Sequence, residues 1–255
     1  MQLATSTWRE VEAYLARCDG IVVPMGSIEQ HGPTGLVGTD TLCAEAVARG
    51  IGEAGDLLVG PAIPFGAAQF NLAFPGTISA RATTLMALVT DYARSLARGG
   101  FRRIYVVNGH GGNVAPVRAA FHDLHARTSL DGAAALRLRL RNWWDYPTAD
   151  ALRRRLYGDR EGMHATPSEV AITMALHPDR VRSEPMAPAE PLPAAFLRDH
   201  AGDDHPDAAR HRARIPDGRV GSEPNLAEPD HGRRLLAAAV ADGVAEVRAF
   251  FAAEA

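Results

Sequence analysis

The chain has 255 residues, with a hydrophobic share of 46% and a charged share of 22%, the proportions of an ordinary globular protein with room for one large domain. Its 27 basic and 30 acidic side chains give a net charge of −3, so the composition excludes the strongly basic surface of a nucleic-acid or anionic-membrane binder. Cys18 and Cys43 form no C-x-x-C motif, and the first residues lack a signal-peptide pattern. We therefore expect one cytoplasmic domain over residues 1–255.

The first predicted elements are a helix and a buried strand. Thr7 and Glu10 have the spacing of a capping box, which predicts a helix from Trp8 to about Arg17. The apolar residues 21–23 then predict a short strand that ends at the Pro and Gly of residues 24–26.

Three side chains that can bind metal follow this strand. Glu29 and His31 are two positions apart, so both project to the same side of an extended segment, and Asp40 can return to that space after a turn. A Glu, a His and an Asp within twelve positions are ligands for a hard or borderline divalent metal. The alternative is two polar loop residues and an Asp40 that caps the helix predicted over residues 41–53.

His110 follows another predicted strand. The pattern predicts short strands at residues 57–59 and 103–107, separated by a loop and by a helix over residues 83–98. The sequence Asn-Gly-His-Gly-Gly-Asn at residues 108–113 comes next, and a helix over residues 114–127 follows it. Parallel sheets place binding residues at the carboxyl ends of strands, so we expect His110 at such an edge. The alternative is a turn whose glycines only allow close packing.

The last part of the chain holds two ambiguous features. A strand over residues 136–140 is followed by Trp143 and Trp144, whose rings fit either a pocket wall or a core edge. Thr166 and Glu169 have capping-box spacing, so Glu169 is either a helix cap or a carboxylate that faces a cleft. Residues 183–230 predict a long loop with solvated histidines, and a final helix is expected from about residue 232 to 251.

Three motifs together resemble the creatininase (creatinine amidohydrolase) family. They are Glu-Gln-His-Gly-Pro at residues 29–33 with Asp40, Asn-Gly-His-Gly-Gly-Asn at residues 108–113, and His164 with Glu169 five positions later. The resemblance implies a single α/β domain with a mostly parallel central sheet flanked by helices. It also implies a two-metal centre, hydrolysis of a non-peptide amide C–N bond in a small molecule, and commonly a homo-hexamer.

The resemblance also implies a role for each metal ligand. Glu29 and His31 would each bind one of two divalent ions, Asp40 would bridge the two ions, and His110 would complete the first site. Zinc is the first expectation, with iron or manganese as alternatives.

The resemblance places further residues around the substrate. His164 would lie beside the reacting carbonyl and act in catalysis together with Glu169. Trp144 and Phe74 would form apolar walls of the substrate pocket.

The sequence departs from the family pattern at two places. Creatinine-hydrolysing members carry a Glu where this chain has Gly112, so the second metal needs another oxygen ligand, and our hypothesis is Glu169. Residues 166–168 also differ from many relatives, so we expect a cyclic amide, a formamide or a related small molecule rather than creatinine itself. Two alternatives stay open at this point: a non-catalytic metal- or ligand-binding member of the fold, and a nucleotide-binding protein that uses residues 108–113.

Overall fold

A parallel sheet of three strands forms the centre of the computed structural model, which describes residues 1–133, 135–181, 184–190, 192–193, 195–196 and 207–253. The strands are β1 (Gly20–Met25), β2 (Arg103–Asn108) and β3 (Arg137–Asn142), in that spatial order. Met25 pairs with Asn108 and Asn108 pairs with Asn142, so the carboxyl ends of all three strands lie level. The predicted parallel α/β fold is confirmed.

Helices cover both faces of this sheet. The part of the chain that the structure describes contains eight α-helices: α1 (Trp8–Leu15), α2 (Thr39–Gly55), α3 (Ala82–Arg98), α4 (Val114–Asp131), α5 (Pro147–Tyr157), α6 (Pro167–Leu176), α7 (Ala208–Arg214) and α8 (Pro229–Ala252). No helix among the described residues is both long and apolar enough to span a bilayer.

The alternation of side chains along the strands separates two cores. Ile21 and Val23 of β1 lie in the core that also contains the apolar faces of α3 and α4. Val22 points to the other face, where α2, α5 and α8 pack. Each fully buried aliphatic side chain stabilises the fold by roughly 1.5–3 kcal/mol relative to its exposed form. The two cores therefore fix the sheet, and the level strand ends become a rigid platform.

Both predicted capping boxes are present. The Thr7 side chain accepts a hydrogen bond from the Glu10 amide, and the Glu10 carboxylate accepts one from the Thr7 amide at 2.6 Å. The same reciprocal pair joins Thr166 and Glu169 at the start of α6. By contrast, α2 is capped by Gly38 and already includes Asp40 in its first turn, so the alternative in which Asp40 caps this helix is wrong.

The strand predicted at residues 57–59 is only a short bridged segment. The Val22 amide donates to the Leu58 carbonyl, and the Gly60 amide donates to the Val22 carbonyl. Pro24 of β1 has no amide hydrogen to donate to Gly60, so the regular ladder is interrupted, and bonding resumes only where the Ile63 amide donates to the Pro24 carbonyl. The segment forms isolated bridges rather than a fourth strand.

The loop predicted over residues 183–230 is partly helical. Residues 182–183, 191, 194 and 197–206 lie outside the described residues, and His200 and His205 are among them. Asp207 caps α7 by accepting hydrogen bonds from two amides of its first turn, so the expectation of an unbroken loop is wrong. The expectation of solvated histidines is wrong for His211, which is buried with its ring 5.1 Å from that of Phe70.

Candidate metal centre and active-site cavity

The five candidate metal ligands meet at the carboxyl ends of the strands. Glu29 and His31 follow β1, Asp40 lies in the first turn of α2, His110 follows β2, and Glu169 lies in the first turn of α6. None of the five is more than 8% exposed. Residues far apart in the sequence therefore form one buried cluster of three carboxylates and two imidazoles.

The Asn and Gly residues around His110 explain how this loop reaches the cluster. Asn113 donates a 2.9 Å hydrogen bond to the carbonyl of Gly26, and Asn108 donates one of 2.8 Å to Asn142. A Cβ atom at Gly109 would collide with the backbone carbonyl of Asp40. The glycine thus allows the two backbones to touch, which places His110 beside Asp40.

The first possible ligand set contains Glu29, Asp40 and His110. The Nδ1 atom of His110 lies 3.2 Å from Glu29 Oε1 and 3.0 Å from Asp40 Oδ2. Its Nε2 atom lies 3.1 Å from the carbonyl oxygen of Ala67. A hydrogen bond from Nε2–H to that carbonyl would leave the Nδ1 lone pair facing both carboxylates, which is the usual arrangement of a metal-binding histidine.

The second possible set contains His31, Asp40 and Glu169. The Nε2 atom of His31 lies 3.0 Å from Asp40 Oδ1 and 3.9 Å from Glu169 Oε1. Its Nδ1 atom lies 3.0 Å from the carbonyl oxygen of Glu29, which can fix the tautomer in the same way. The two sets share Asp40, whose two oxygens face different histidines.

The residues of the cluster fit divalent ions. Glu29 Oε1 and Asp40 Oδ2 are fully buried, yet neither has a hydrogen-bond partner of acceptable geometry among the described residues. Without a metal, protonated His110 beside these oxygens compensates for their burial, and a bound cation would take over that role. Carboxylates together with imidazoles suit zinc, manganese or iron. The possible ligand atoms of Glu29, His31 and His164 also lie within 4.8 Å of one another. These residues form a third possible ligand set, in which His164 would bind the metal.

The opposed charges shift the pKa values of the metal-free cluster. Burial would raise the pKa of Asp40, but the adjacent His31 and His110 lower it to about 2. Burial would lower the pKa of His31, but Asp40 raises it to about 10, and Glu29 together with Asp40 holds the pKa of His110 well above its usual value. Burial raises the pKa of Glu169 to about 7. The metal-free centre therefore holds protons that a metal ion has to displace.

This proton competition predicts a pH dependence of metal binding. His31 and His110 are protonated at neutral pH in the metal-free protein, so the apparent metal affinity is expected to fall as the pH falls. The slope is roughly tenfold per pH unit for each displaced proton, which gives a loss of about 100-fold or more from pH 8 to pH 6. Competition with a chelator of known proton affinity measures this slope. An affinity that stays constant over this range would contradict the displacement of protons from the cluster.

Glu169 combines the two roles between which the sequence left a choice. Its Oε1 atom accepts a hydrogen bond of 2.5 Å from the Thr166 amide, and the same atom faces His31. The carboxylate therefore caps α6 from inside the cluster. Capping does not remove Glu169 from the possible ligand set.

His164 lies against the cluster, but its pKa is shifted in the opposite direction from those of His31 and His110. Its Nε2 atom is 2.7 Å from the Gln30 carbonyl oxygen, and its Nδ1 atom is 3.4 Å from Glu29 Oε1. Its ring lies 4.6 Å from the His31 ring. Burial lowers the pKa of His164 to about 3, so this imidazole is neutral at neutral pH. A hydrogen bond from Nε2–H to Gln30 leaves Nδ1 available on the cluster side.

A cavity of about 1090 Å³ opens above the cluster. Glu29, Asp40, His110, His164 and Glu169 contribute to its lining. Trp144 also lines the cavity, and its role as a wall for the substrate, which the family resemblance implies, stays a prediction.

Phe74 was expected to form an apolar wall of the substrate pocket, but the structure places its side chain elsewhere. Phe74 is absent from the described cavity lining, and its ring lies under the guanidinium of Arg212, 5.1 Å from the ring centre. Phe70, in the short helical turn Gln69–Asn71, and Leu72, which follows that turn, line the cavity instead.

The atoms around Gly112 leave no room for a side chain at this position. A Cβ atom at Gly112 would collide with the carbonyl of Ala67 and would lie 2.6 Å from His110 Nε2. The missing carboxylate therefore cannot be restored without moving the loop that holds His110.

A supporting layer of polar residues, which no sequence pattern predicts, surrounds the cluster. Gln30, between two candidate ligands, donates to Asn71 Oδ1 and to the Gly218 carbonyl, both at 2.9 Å. Asn71 in turn donates to Glu29 Oε2 at 3.2 Å. The position of Gln30 inside the first motif was the only available signal, since Asn71 and Gly218 come from distant segments.

Comparison with known proteins identifies relatives over almost the whole chain. The family model "Creatininase: Creatinine amidohydrolase" matches residues 4–247. A mycofactocin precursor peptide peptidase of Mycobacterium tuberculosis (strain ATCC 25618 / H37Rv) is 34% identical over 238 residues, which cover 89% of this chain and 84% of the relative. A crystal structure of creatinine amidohydrolase superposes with a TM-score of 0.83 at 28% identity and covers 99% of this chain and 98% of the other. Similar creatininase structures include a Zn-Zn form and a Mn form.

Proposed function

Because this chain belongs to the creatininase family, we propose that it is an amidohydrolase that holds two divalent ions and cleaves an amide C–N bond. One observation carries the proposal: two possible ligand sets share Asp40 at the base of a large cavity. Glu29, Asp40 and His110 would hold one ion, and His31, Asp40 and Glu169 would hold the other.

The ions, when bound, would supply Lewis-acid polarisation of the amide carbonyl and lower the pKa of a water molecule. The protein's own residues would bind, orient and move protons. The hydrogen bonds of His31 and His110 to backbone carbonyls would hold the imidazoles in the ligand orientation. His164, with Nδ1 on the cluster side, would take the proton that the attacking water releases and pass it to the departing nitrogen.

The size of the cavity extends the range of substrates that we propose. Pockets for drug-sized ligands occupy about 300–1,000 Å³, so a cavity of about 1090 Å³ is much larger than a single small ring requires. One relative is described as a peptide peptidase. We therefore no longer restrict the proposal to non-peptide bonds, and peptides join cyclic amides and formamides as candidate substrates.

Replacing His164 tests the proposed proton transfer. His164→Gln is expected to lower kcat by about 100-fold or more and to leave the metal content unchanged, because general acid–base catalysis contributes roughly that much. Elemental analysis and turnover are measured on the same samples. His122→Gln, at an exposed histidine on α4, is the matched control. If His164→Gln loses an ion, His164 is a metal ligand and the proposed role is incorrect.

The proposed activity itself is tested with a panel of lactams, formamides and short peptides. The metal-loaded protein is compared with the chelator-treated protein, and release of the amine is measured. Metal-dependent hydrolysis of any member supports the proposal. Tight metal binding without hydrolysis across the panel favours the alternative, a metal- or ligand-binding member of the fold without turnover.

Metal identity, assembly and location extend the proposal. Zinc is the proposed metal, with manganese or iron as alternatives. Assembly of several chains, for which a hexamer is the expectation from the family, would cover exposed apolar side chains such as Val37, Phe65 and Ile78, which are 43–52% exposed. The cytoplasmic location stays a prediction from the sequence.

A further inference from the structure

The charged residues that line the cavity fall into two groups. The carboxylates of Glu29, Asp40 and Glu169 face the histidines of the candidate metal centre. Glu161, the remaining carboxylate of the described lining, is 6% exposed and accepts a hydrogen bond from Ser168. The acidic side chains of the described lining are therefore turned towards the centre or, for Glu161, paired through Oε1 with Ser168 and Arg153.

Three arginines line the same cavity, and only one of them is neutralised. Arg153 forms ion pairs with Asp150 at 2.7 Å and with Glu161 at 3.6 Å. Arg81 and Arg118 are exposed residues, and neither forms an ion pair or a side-chain hydrogen bond with the described residues. Among the described residues, the cavity wall thus carries two arginines that no carboxylate pairs with.

The two arginines belong to neighbouring helices that both contribute to the cavity wall. Arg81 directly precedes α3, Arg118 lies in the second turn of α4, and α3 packs against α4. Both helices begin at the carboxyl edge of the sheet, so the positive ends of their dipoles add to the same field. The cap residue of neither helix forms a side-chain capping bond.

The rest of the lining connects these arginines to the candidate metal centre. Phe70, Leu72 and Trp144 are apolar residues of the same lining. A substrate that places its amide bond at the cluster can therefore lay an apolar portion along these side chains. An anionic group elsewhere in the substrate can then reach the two arginines.

We propose that Arg81 and Arg118 form an anion-binding subsite that selects amide substrates carrying a carboxylate or phosphate group away from the scissile bond. This subsite rests on the proposed function, since it names the substrate class of the same cavity. Guanidinium groups bind both anions through charge-assisted hydrogen bonds. Each arginine is expected to contribute roughly tenfold in affinity, and salt is expected to weaken the effect because the groups are exposed.

Matched peptides test the subsite by binding as well as by turnover. Acetylated tripeptides are prepared with a free carboxylate or a carboxamide at the carboxyl terminus, and serine peptide amides are prepared with and without a phosphate. Calorimetry on the chelator-treated protein measures binding in the absence of metal. We expect at least one anionic form to bind about tenfold or more tightly than its neutral mate, and the pair that discriminates identifies carboxylate or phosphate.

Variants assign the preference to the two arginines. The Arg81→Gln and Arg118→Gln double variant is expected to bind both members of each pair equally. Arg94→Gln is the matched control, because Arg94 is exposed on the same helix α3 but does not line the cavity. Equal affinity for every pair in the unmodified protein, or a preference that survives the double variant, overturns the subsite.

Turnover of the same peptides separates this inference from the proposed function. Hydrolysis by the metal-loaded protein without any preference for the anionic forms overturns the subsite and leaves the amidohydrolase proposal standing. A binding preference that depends on both arginines supports the subsite, even when none of the peptides, lactams or formamides is hydrolysed and the proposed function fails.

Discussion

Asp40→Asn is expected to remove both metal ions and to lower hydrolysis at least about a thousand-fold, since bound metals supply several kcal/mol of transition-state stabilisation. Asp40 is the one residue that the two possible ligand sets share, and its two oxygens lie 3.0 Å from His31 and from His110. Asparagine keeps the shape of the side chain but lacks the negative charge and one of the acceptor oxygens. Elemental analysis of the reconstituted variant, together with turnover, measures both effects.

The control for this variant lies on the same helix. Glu45→Gln neutralises a carboxylate of α2 that faces Arg49 instead of the cluster, so it is expected to keep both ions. Circular dichroism of the two variants shows whether the fold is intact. A folded Asp40→Asn protein that retains two ions per chain would contradict the shared ligand.

Glu169→Gln is expected to lose one ion per chain and to keep the stability of the metal-free protein. Glutamine at this position can still accept the hydrogen bond from the Thr166 amide, so the capping box persists. Burial already raises the pKa of Glu169 to about 7, so a neutral side chain is well tolerated there. The loss of the carboxylate is expected to weaken the second ion at least about 100-fold, because even changes to residues behind the ligands cost 10- to 100-fold.

Thr166→Ala is the complementary variant for Glu169→Gln. It removes the other half of the capping box and leaves the carboxylate of Glu169 in place. We expect it to cost about 1 kcal/mol of stability with both ions retained. Thermal unfolding and elemental analysis of the two variants separate cap from ligand. If Glu169→Gln keeps both ions, Glu169 only caps α6 and is not a ligand of the second ion.

The sequence was informative wherever structure depends on neighbouring residues. The apolar run at residues 21–23 predicted β1, and the Thr–Glu spacings predicted both capping boxes, since those hydrogen bonds span only three positions. Motif residues that follow strands were expected at one edge of a parallel sheet. The structure brings Glu29, His31, Asp40, His110 and Glu169 together at that edge, while their metal-binding roles stay a proposal.

The sequence was less informative where contacts join distant segments. Phe74 was expected in the pocket, but its side chain packs under Arg212, which comes 138 positions later in the chain. Gln30 and Asn71 support the cluster through hydrogen bonds that no local pattern reveals. The steric closure at Gly112 also depends on a distant group, the carbonyl of Ala67. Side-chain spacing predicts local structure, but long-range packing decides these positions.

The most direct test of the two-metal centre is anomalous X-ray scattering from crystals of the zinc-reconstituted protein, measured at the zinc absorption edge. Our proposal predicts two peaks per chain, one beside Glu29 and His110 and one beside His31 and Glu169, with the Asp40 carboxylate between them. A single peak, or peaks that do not involve Asp40, would contradict the shared-ligand centre on which the proposed hydrolysis depends.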